Sequence, residues 1–333
     1  MLAVSRPVPY VMKSDVVELC IGQATLAPSI HNTQPWLFRV SEEHIELIAD
    51  RTRGLAVMDP FDRELTISCG AALFNLRVAA ALAGHDAFVE LLPVRDDPDV
   101  LARVIFATGT GRTFREAHEL GAALTRRRTY RKRFVPQTID RAQIDVLRAA
   151  AEIEGAHLQA LDTEALRHGA GELVAAGDAI LWEDPRWRRE LAAWMYPRRR
   201  GDGLSVPGFA VPAAQLLIRS FDMGEGLAAR DADVVHGSPL LVVLGTDGDE
   251  PADWLRAGQA LERLLLRACA DGLQASYLNQ PIQVPKLRQR VQSLVAAVGK
   301  PQLLLRLGYP ASDVPPSPRR ALADVMQPVW PIP

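Results

Sequence analysis

The sequence predicts an α+β fold made of two fused, diverged copies of one unit, a pseudo-dimer within one chain, with a lid-like insertion in the second copy. Three observations point to it. Strand-like and helix-like patterns alternate along the 333 residues. A helical segment recurs at a fixed offset. Residues 182–233 follow neither period and read as an excursion from a regular core.

Composition narrows the classes. The length suits about two domains or one large duplicated one. Hydrophobic residues make up 48%, enough for a well-buried core. A formal charge of −2 gives no general attraction to nucleic acid or anionic membrane. No apolar run approaches the ~20 residues of a membrane helix, and the longest, PLLVVLG at 239–245, reads as a buried strand. The opening MLAVSRPVPY lacks the apolar stretch of a secretory signal. Cys20, Cys69 and Cys269 are far apart in helical patterns, which argues against structural zinc or a disulfide framework and for a reducing cytoplasm.

In chain order, SDVVELCIGQATL (14–26) is a helix with Ser14 as N-cap and Val17, Leu19, Cys20 and Ala24 as apolar positions. It leads into APSIHNTQPW (27–36). Two prolines there push Ala27 and Gln34 out of the helical region, so the loop is irregular, stiff and rich in donors and acceptors. WLFRV and HIELIAD (44–50) form a hairpin. A helix follows from about Arg63 to Ala83, with Leu73, Leu76 and Ala80 on one face, small residues on the flanks and Gly84 at its end, so something packs closely against it. Then come a strand at 100–109, a helical segment from Thr113, the basic run RRRTYRKRF (126–134), and helical patterns at 139–153 and 163–181. After the excursion, the strand PLLVVLG, a helix from Trp254 to Asp271, YLNQPIQVP, another helix, the strand QLLLRLGYP (302–310) and a Pro-rich tail complete the pattern.

The repeat aligns CGAALFNLRVAAALAG (69–84) with AGQALERLLLRACADG (257–272) at an offset of 188. Gly70/Gly258, Ala72/Ala260, Leu73/Leu261, Leu76/Leu264, Ala80/Ala268 and Gly84/Gly272 coincide. Two generic amphipathic helices would share part of this, but both also lie between strand-like runs. A weaker echo puts Leu37 on Leu158 at an offset of 121. The two offsets differ by 67 residues, which places a large insertion in the second copy. The copies are expected at residues 1–112 and 113–333, with the insertion at about 182–233. The polar loop belongs only to the first copy and the basic run only precedes the second. One composite site per chain is the expectation.

The basic run has six cations in nine residues. It reads as a solvated helix end, a nucleic-acid patch, or a cradle for a small phosphate. No second basic stripe with stacking aromatics supports nucleic acid. In an extended entry to a helix, Arg127, Thr129 and Arg131 point one way. Guanidinium forks and a hydroxyl suit a monophosphate, and Arg319 and Arg320, held among prolines, can add charge.

On these motifs the chain resembles the nitroreductase-like FMN-binding flavoproteins. APSIHNTQPW is similar to their Pro-Ser-x-x-Asn-x-Gln-Pro-Trp loop. RRRTYRKRF is similar to their Arg-Arg-Ser-x-Arg segment, with Thr129 for serine and one residue more before the phenylalanine. The Ala-Gly-x-Ala helices, YLNQP (277–281) and the closing LGYP…PRR also match. SIHNTQPW, RELTISCGAAL, PRR and the central excursion together resemble the duplicated single-chain, Acg-type branch common in actinobacteria. The resemblance spans nearly the whole chain.

It implies a mainly antiparallel sheet wrapped by helices, with FMN between the halves. Arg127, Thr129 and Arg131 would hold phosphate and ribityl groups, and Arg319 or Arg320 would close on the phosphate. Pro28, Ser29, Asn32 and Gln34 would contact the flavin from the other half. Asn279, Gln280 and Pro281 would lie near its N5/O4 edge. His31 departs from the small residue common in the broader family; it could stack near the ring or be a satisfied structural histidine. The implied activity is hydride transfer from NAD(P)H through flavin N5 to a nitroaromatic or quinone-like acceptor. No protein nucleophile or acid–base pair stands out, and Cys69 reads as a buried apolar residue. A rival reading is an FMN-sequestering protein with little turnover, its flavin face covered by Trp187, Trp194 and Tyr196 and its lid hinged at Gly201, Gly203, Pro207 and Gly208. A nucleic-acid or scaffold module has only the basic run behind it.

Overall fold

In the computed structural model, residues 13–108, 114–197, 200–206, 210–220, 237–295 and 299–327 are described. Pro207, Gly208 and parts of the excursion lie outside them. The first unit opens with α1 (Ser14–Ala24). Its cap position falls on Lys13, without a side-chain bond, so Ser14 is not the cap expected of it. β1 (Trp36–Val40) and β2 (His44–Ala49) make the expected hairpin, Trp36 opposite Ala49. α2 (Arg63–Leu82) follows, then β3 (His85–Leu91) and β4 (Val100–Thr108). The half-buried β3, HDAFVEL, lacks the apolar alternation of the other strands and escaped the sequence reading. The sheet order is β1-β2-β4-β3.

α3 (Phe114–Leu124) connects to the second unit. This begins with α4 (Arg141–Ile153), closed by a capping box between Asp140 and Gln143, and β5 (His157–Ala160). After β5 comes α5 (Glu164–Glu183), as the helical pattern at 163–181 predicts, and the expected excursion at 182–233 then holds α6 (Pro185–Ala193), the short strands β6 (Met195–Pro197) and β7 (Leu204–Val206), and α7 (Val211–Ser220). Its first part is therefore more regular than its composition suggests: Pro185 starts α6 at a position that needs no N–H, and Asp184 caps it by accepting from Arg186 N. β8 (Leu240–Thr246), α8 (Pro251–Ala270), β9 (Gln274–Tyr277), α9 (Gln280–Gln283), α10 (Pro285–Leu294) and β10 (Lys300–Gly308) complete the unit. The sheet order is β5-β8-β10-β9. Finally α11 (Leu322–Val325) leads to β11 (Met326–Gln327), which pairs parallel to β1.

Both units thus run helix, strand, strand, helix, strand, strand, with the same order of strands in their sheets. α2 and α8 coincide end to end at the offset of 188, and β1 falls on β5 at 121. The change of offset falls between β5 and β8, where the insertion sits. α2 and α8 cross at Gly70 and Gly258. A Cβ on Gly70 would lie 2.4 Å from Leu255 O, and one on Gly258 would lie 2.1 Å from Ile67 O. Only glycine lets the two backbones touch there. Each sheet keeps its own core, around Trp36, Phe38, Leu47 and Leu73 in one and Leu147, Leu244, Leu264 and Leu305 in the other. By length and composition alone α2 would pass for a membrane-crossing helix, but 89% of its most apolar window is buried inside the protein, between the first sheet and α8.

Candidate functional site

A cavity of about 600 Å³ opens where the two units meet, within the size range of small-molecule sites. Its first wall is the polar loop. Ser29 Oγ accepts from Gln34 N at 3.0 Å, closing the loop on itself. His31, Asn32 and Gln34 all have positive φ, at 47°, 56° and 50°. Side chains rarely adopt this conformation, and the cost is met by surrounding bonds. Gln34 leaves the helical region as its following proline requires, but to the left-handed side rather than to extended backbone. Buried there, its Nε2 donates to Gly201 O at 2.8 Å and its Oε1 accepts from Arg320 N at 2.9 Å. Asn32 Oδ1 accepts from Arg319 at 3.2 Å and Asn32 O from Gly203 N at 3.1 Å.

The basic run supplies the second wall. Thr129 bridges Ala275 of β9 in parallel, and Tyr130 N donates to Ala275 O at 2.8 Å, so the segment is extended as expected. Tyr130 is buried on one side, while Arg127, Thr129 and Arg131 line the cavity. Arg306, itself buried, donates to the carbonyls of Tyr130 and Lys132 at 3.0 and 3.1 Å and holds the run in place. Arg319, from the Pro-rich tail, donates to the carbonyls of Leu26 and Ala27 at 2.8 and 3.2 Å. Arg127 donates to Leu26 O at 2.9 Å. The Nε atoms of Arg127 and Arg319 are buried without a hydrogen-bond partner. Burial, then the repulsion of Arg127, lowers the pKa of Arg319 to about 9, and the same two causes lower that of Arg128. Arg127, Arg128 and Arg319 thus repel one another at the cavity, where an anion would relieve them, and Arg131 lines it near His31 and Tyr277.

Part of the lining is flat and apolar. Trp182, Trp187 and Leu191 come from the insertion, and Met58 and Ile67 from the first unit. Trp182 and Trp187 pack edge to face with centroids 5.2 Å apart. Glu190 ties this roof down, accepting from Val57 N and Met58 N at 2.9 Å each. Asn279 and Gln280 reach the cavity from the segment after β9, where Asn279 Oδ1 accepts from Leu304 N at 3.0 Å. His31 lines the cavity with its pKa pushed down to about 4 by burial and then by Arg131, so it is neutral at pH 7.

Of the residues singled out from sequence, Pro28, Ser29, His31, Asn32, Arg127, Thr129, Arg131, Asn279, Gln280 and Arg319 meet on this one cavity, as does Trp187. Gln34, Pro281 and Arg320 do not line it. Gln34 and Arg320 form the frame behind: Arg320 donates to Gln34 O at 2.9 Å and pairs with Asp50 at 3.5 Å. Pro281 is buried in the start of α9. Trp194 and Tyr196 also lie off the cavity, under the guanidinium groups of Arg53 and Arg200. Gly201 and Gly203 are anchors rather than hinges, since a Cβ on Gly201 would lie 2.6 Å from Arg319 O. The sequence reading missed Trp182, Tyr277 and Glu64. Glu64 is fully enclosed, bonded to Arg63 at 2.9 Å and Gln283 at 3.1 Å, and burial raises its pKa to about 7 against the pull of Arg63. A charged pair opening an otherwise apolar helix was the available signal. Among the described residues no cluster of His, Cys, Asp and Glu could hold a metal. All three cysteines are free and buried, with raised pKa values.

No family model matches the chain. It is 34% identical to "Putative NAD(P)H nitroreductase Rv3131" of Mycobacterium tuberculosis, over 96% of this chain and 92% of that protein. It is 30% identical to "Putative NAD(P)H nitroreductase acg" of the same organism, over 94% and 95%. The structure of the FMN-dependent nitroreductase NfnB from Mycobacterium smegmatis, in complex with NADPH, aligns with a TM-score of 0.42 and 14% identity, over 64% of this chain and 98% of that one. The chain belongs to the nitroreductase family. Within it, the full-length matches place it beside the Acg-type proteins of actinobacteria.

Proposed function

We propose that the chain is an FMN-binding, NAD(P)H-dependent oxidoreductase acting on nitroaromatic or quinone-like acceptors, and that its two units are diverged copies enclosing one flavin site. The observation that carries this is the make-up of the cavity lining: a cluster of three arginines, Arg127, Arg128 and Arg319, together with aromatic and aliphatic plates. Two of those arginines keep a buried Nε outside any well-formed hydrogen bond, that of Arg127 lying 3.4 Å from Glu262, and guanidinium donors of this kind suit a phosphate. A flavin mononucleotide has the matching parts, a charged tail and a large flat ring. Arg127, Arg128, Thr129, Arg131 and Arg319 would hold the phosphate and ribityl groups. Pro28, Ser29, His31, Asn32, Asn279 and Gln280 would frame the ring.

FMN, when bound, supplies hydride transfer through its N5. The protein's part is position and exclusion of water. Gln34 and Arg320 hold the loop that presents Ser29 and Asn32. Trp182, Trp187 and Leu191 form a dry roof, and neutral His31 adds no charge beside the ring. The shared order of elements and the glycine crossing support the two-copy origin, with boundaries at 1–112 and 113–333. The free, buried cysteines fit a reducing cytoplasm. A flavin spectrum of the purified protein, followed by NAD(P)H oxidation with a nitroaromatic or quinone acceptor, tests the reading. Bound FMN with saturable oxidation supports it, and a protein that takes up no flavin refutes it.

A second reading, FMN storage with little turnover, is favoured by the roof itself, because Glu190 and the contacts of Gly201 and Gly203 fasten the insertion to the first unit. FMN binding without acceptor-dependent NAD(P)H oxidation would select it.

A further inference from the structure

Glu262 sits on α8 directly after Leu261, which lines the cavity. It is fully enclosed, and neither carboxyl oxygen accepts a well-formed hydrogen bond among the described residues. Arg127 Nε lies 3.4 Å away. The other groups facing it are Asn75 from α2, Arg319 from the tail and Tyr277 from β9. Arg127 also donates to Leu26 O, and Arg319 donates to the carbonyls of Leu26, Ala27, Ser317 and Pro318 and to Asn32 Oδ1. The same two guanidinium groups therefore face a buried carboxyl on one side and the cavity on the other.

We propose that Glu262 is the resident counter-ion of this cradle, and that a phosphate entering the cavity takes its place, so that phosphate binding is accompanied by uptake of one proton at Glu262. The inference rests on the FMN reading above. No covalent bond changes; the proton passes from solvent to a carboxyl oxygen. Once a dianion occupies Arg127 and Arg319, an ionised Glu262 would be a second negative charge in a low-dielectric site. Burial already raises its pKa to about 7, against the opposing pull of Arg127, Asn75 and Arg319, and a neighbouring anion pushes it further.

The sign follows. Above pH 7 the free protein carries ionised Glu262 and the complex carries it protonated, so affinity falls as pH rises, approaching about tenfold per unit. Well below pH 7 both states are protonated and this dependence vanishes. Tyr277, its pKa raised by burial, stays protonated throughout, and Arg319, titrating near 9, stays charged up to pH 8.

The test is calorimetric titration of the full chain with FMN and with riboflavin at pH 8, in two buffers of different ionisation enthalpy. FMN should take up close to one proton and riboflavin none. Glu262→Gln should bind FMN about tenfold more tightly than wild type at pH 8, without proton uptake. Absence of uptake in the wild type, or equal uptake in Glu262→Gln, overturns the inference while leaving flavin binding intact. Should Glu262→Gln fail to fold, the wild-type ratio of FMN to riboflavin affinity decides: a fall of about fivefold from pH 7 to pH 8 supports the proposal, and an unchanged ratio overturns it. Failure of either flavin to bind overturns the FMN reading and this inference with it.

Discussion

Gly258→Ala is the sharpest test of how the two units are joined. The added Cβ would lie 2.1 Å from Ile67 O, 2.8 Å from Gly70 Cα and 2.9 Å from Ala71 N, all backbone atoms of α2. No side-chain rotation relieves such a contact, so the helices must move apart by roughly an ångström. Overpacking of this kind costs about 1–3 kcal/mol, and a backbone-on-backbone clash belongs at the upper end. Alanine returns about 0.5–1 kcal/mol of helix propensity, leaving a net loss of about 2 kcal/mol. For a chain of 333 residues that is a fall of roughly 3 °C in Tm. Gly70→Ala, with its Cβ 2.4 Å from Leu255 O, should behave alike. The double variant should lose less than the sum, because one separation relieves both contacts. Ile67 and Leu261 lie on these helices and on the cavity, so FMN binding should weaken as well. Gly22→Ala on α1, with nothing within 4 Å of the added atom, is the control and should be neutral or slightly stabilising. Thermal and urea denaturation followed by circular dichroism give the comparison. If Gly258→Ala and Gly70→Ala are as harmless as Gly22→Ala, the close crossing is wrong, and the pairing of the two units with it.

Arg127→Ala should weaken FMN about ten- to a hundredfold and riboflavin far less, since a charge-assisted bond to phosphate is worth roughly 1.5–3 kcal/mol; equal losses in parallel flavin titrations would assign Arg127 to the fold. Titration of apo-protein with FMN should saturate at one flavin per chain, and two equivalent sites would contradict the decayed second copy. Glu190→Ala removes the two bonds to Val57 N and Met58 N, so stopped-flow reduction of bound FMN by dithionite should speed up while FMN stays bound; an unchanged rate means the roof does not limit access. Asp249 is held below the usual carboxylate range: burial opposes ionisation, but Arg288, Trp254 and Gln302 outweigh it. Its contribution is present above the unfolded pKa near 4 and lost as pH falls below it, so Asp249→Asn should destabilise at pH 7 by an amount that shrinks toward pH 2, and an equal loss at both pH values would remove the linkage.

Local chemistry made much of this architecture readable in advance. The stiffness of APSIHNTQPW follows from its prolines, and the extended run of Arg127, Thr129 and Arg131 from simple alternation. The positions of α2 and α8 were available because a close helix crossing leaves glycine at matching places in both. Other features depend on contacts with no local signature. Gln34 and Arg320 carry the same polar chemistry as true lining residues, and only the path of the tail turns them into a frame. Trp194 and Tyr196 have the same flat shape as Trp182 and Trp187, but Arg53 and Arg200 cover them. β3 pairs with β4 along its length yet is only half buried, so its pattern of apolar residues is faint.

On the proposed two-copy origin, the asymmetry between the units gives a physical reason to expect one site rather than two. In the first unit, residues 25–35 separate α1 from β1, long enough to form a cavity wall. In the second, only residues 154–156 separate α4 from β5. Glu154 in that short turn accepts from Arg77 of α2 at 2.6 Å and from Arg263 of α8 at 2.7 Å. Arg263 also pairs with Glu116 of α3 at 2.5 Å. At the offset of 188, Arg263 corresponds to Asn75, which donates to Gln23 O at the end of α1 at 3.4 Å. Equivalent helix positions therefore reach for the equivalent helix end in each unit. In the first unit they lie behind a loop that opens onto arginines. In the second they lock onto a turn of three residues, and Arg77 and Arg263 are paired with carboxylates. Reversing the lock, by Glu154→Gln, would leave Arg77 without its anion and Arg263 with Glu116 alone, while restoring no loop. The variant should lose stability, by less than the roughly 3–5 kcal/mol of a fully buried pair because Arg263 keeps Glu116 and Arg77 is part-exposed, and gain no second flavin.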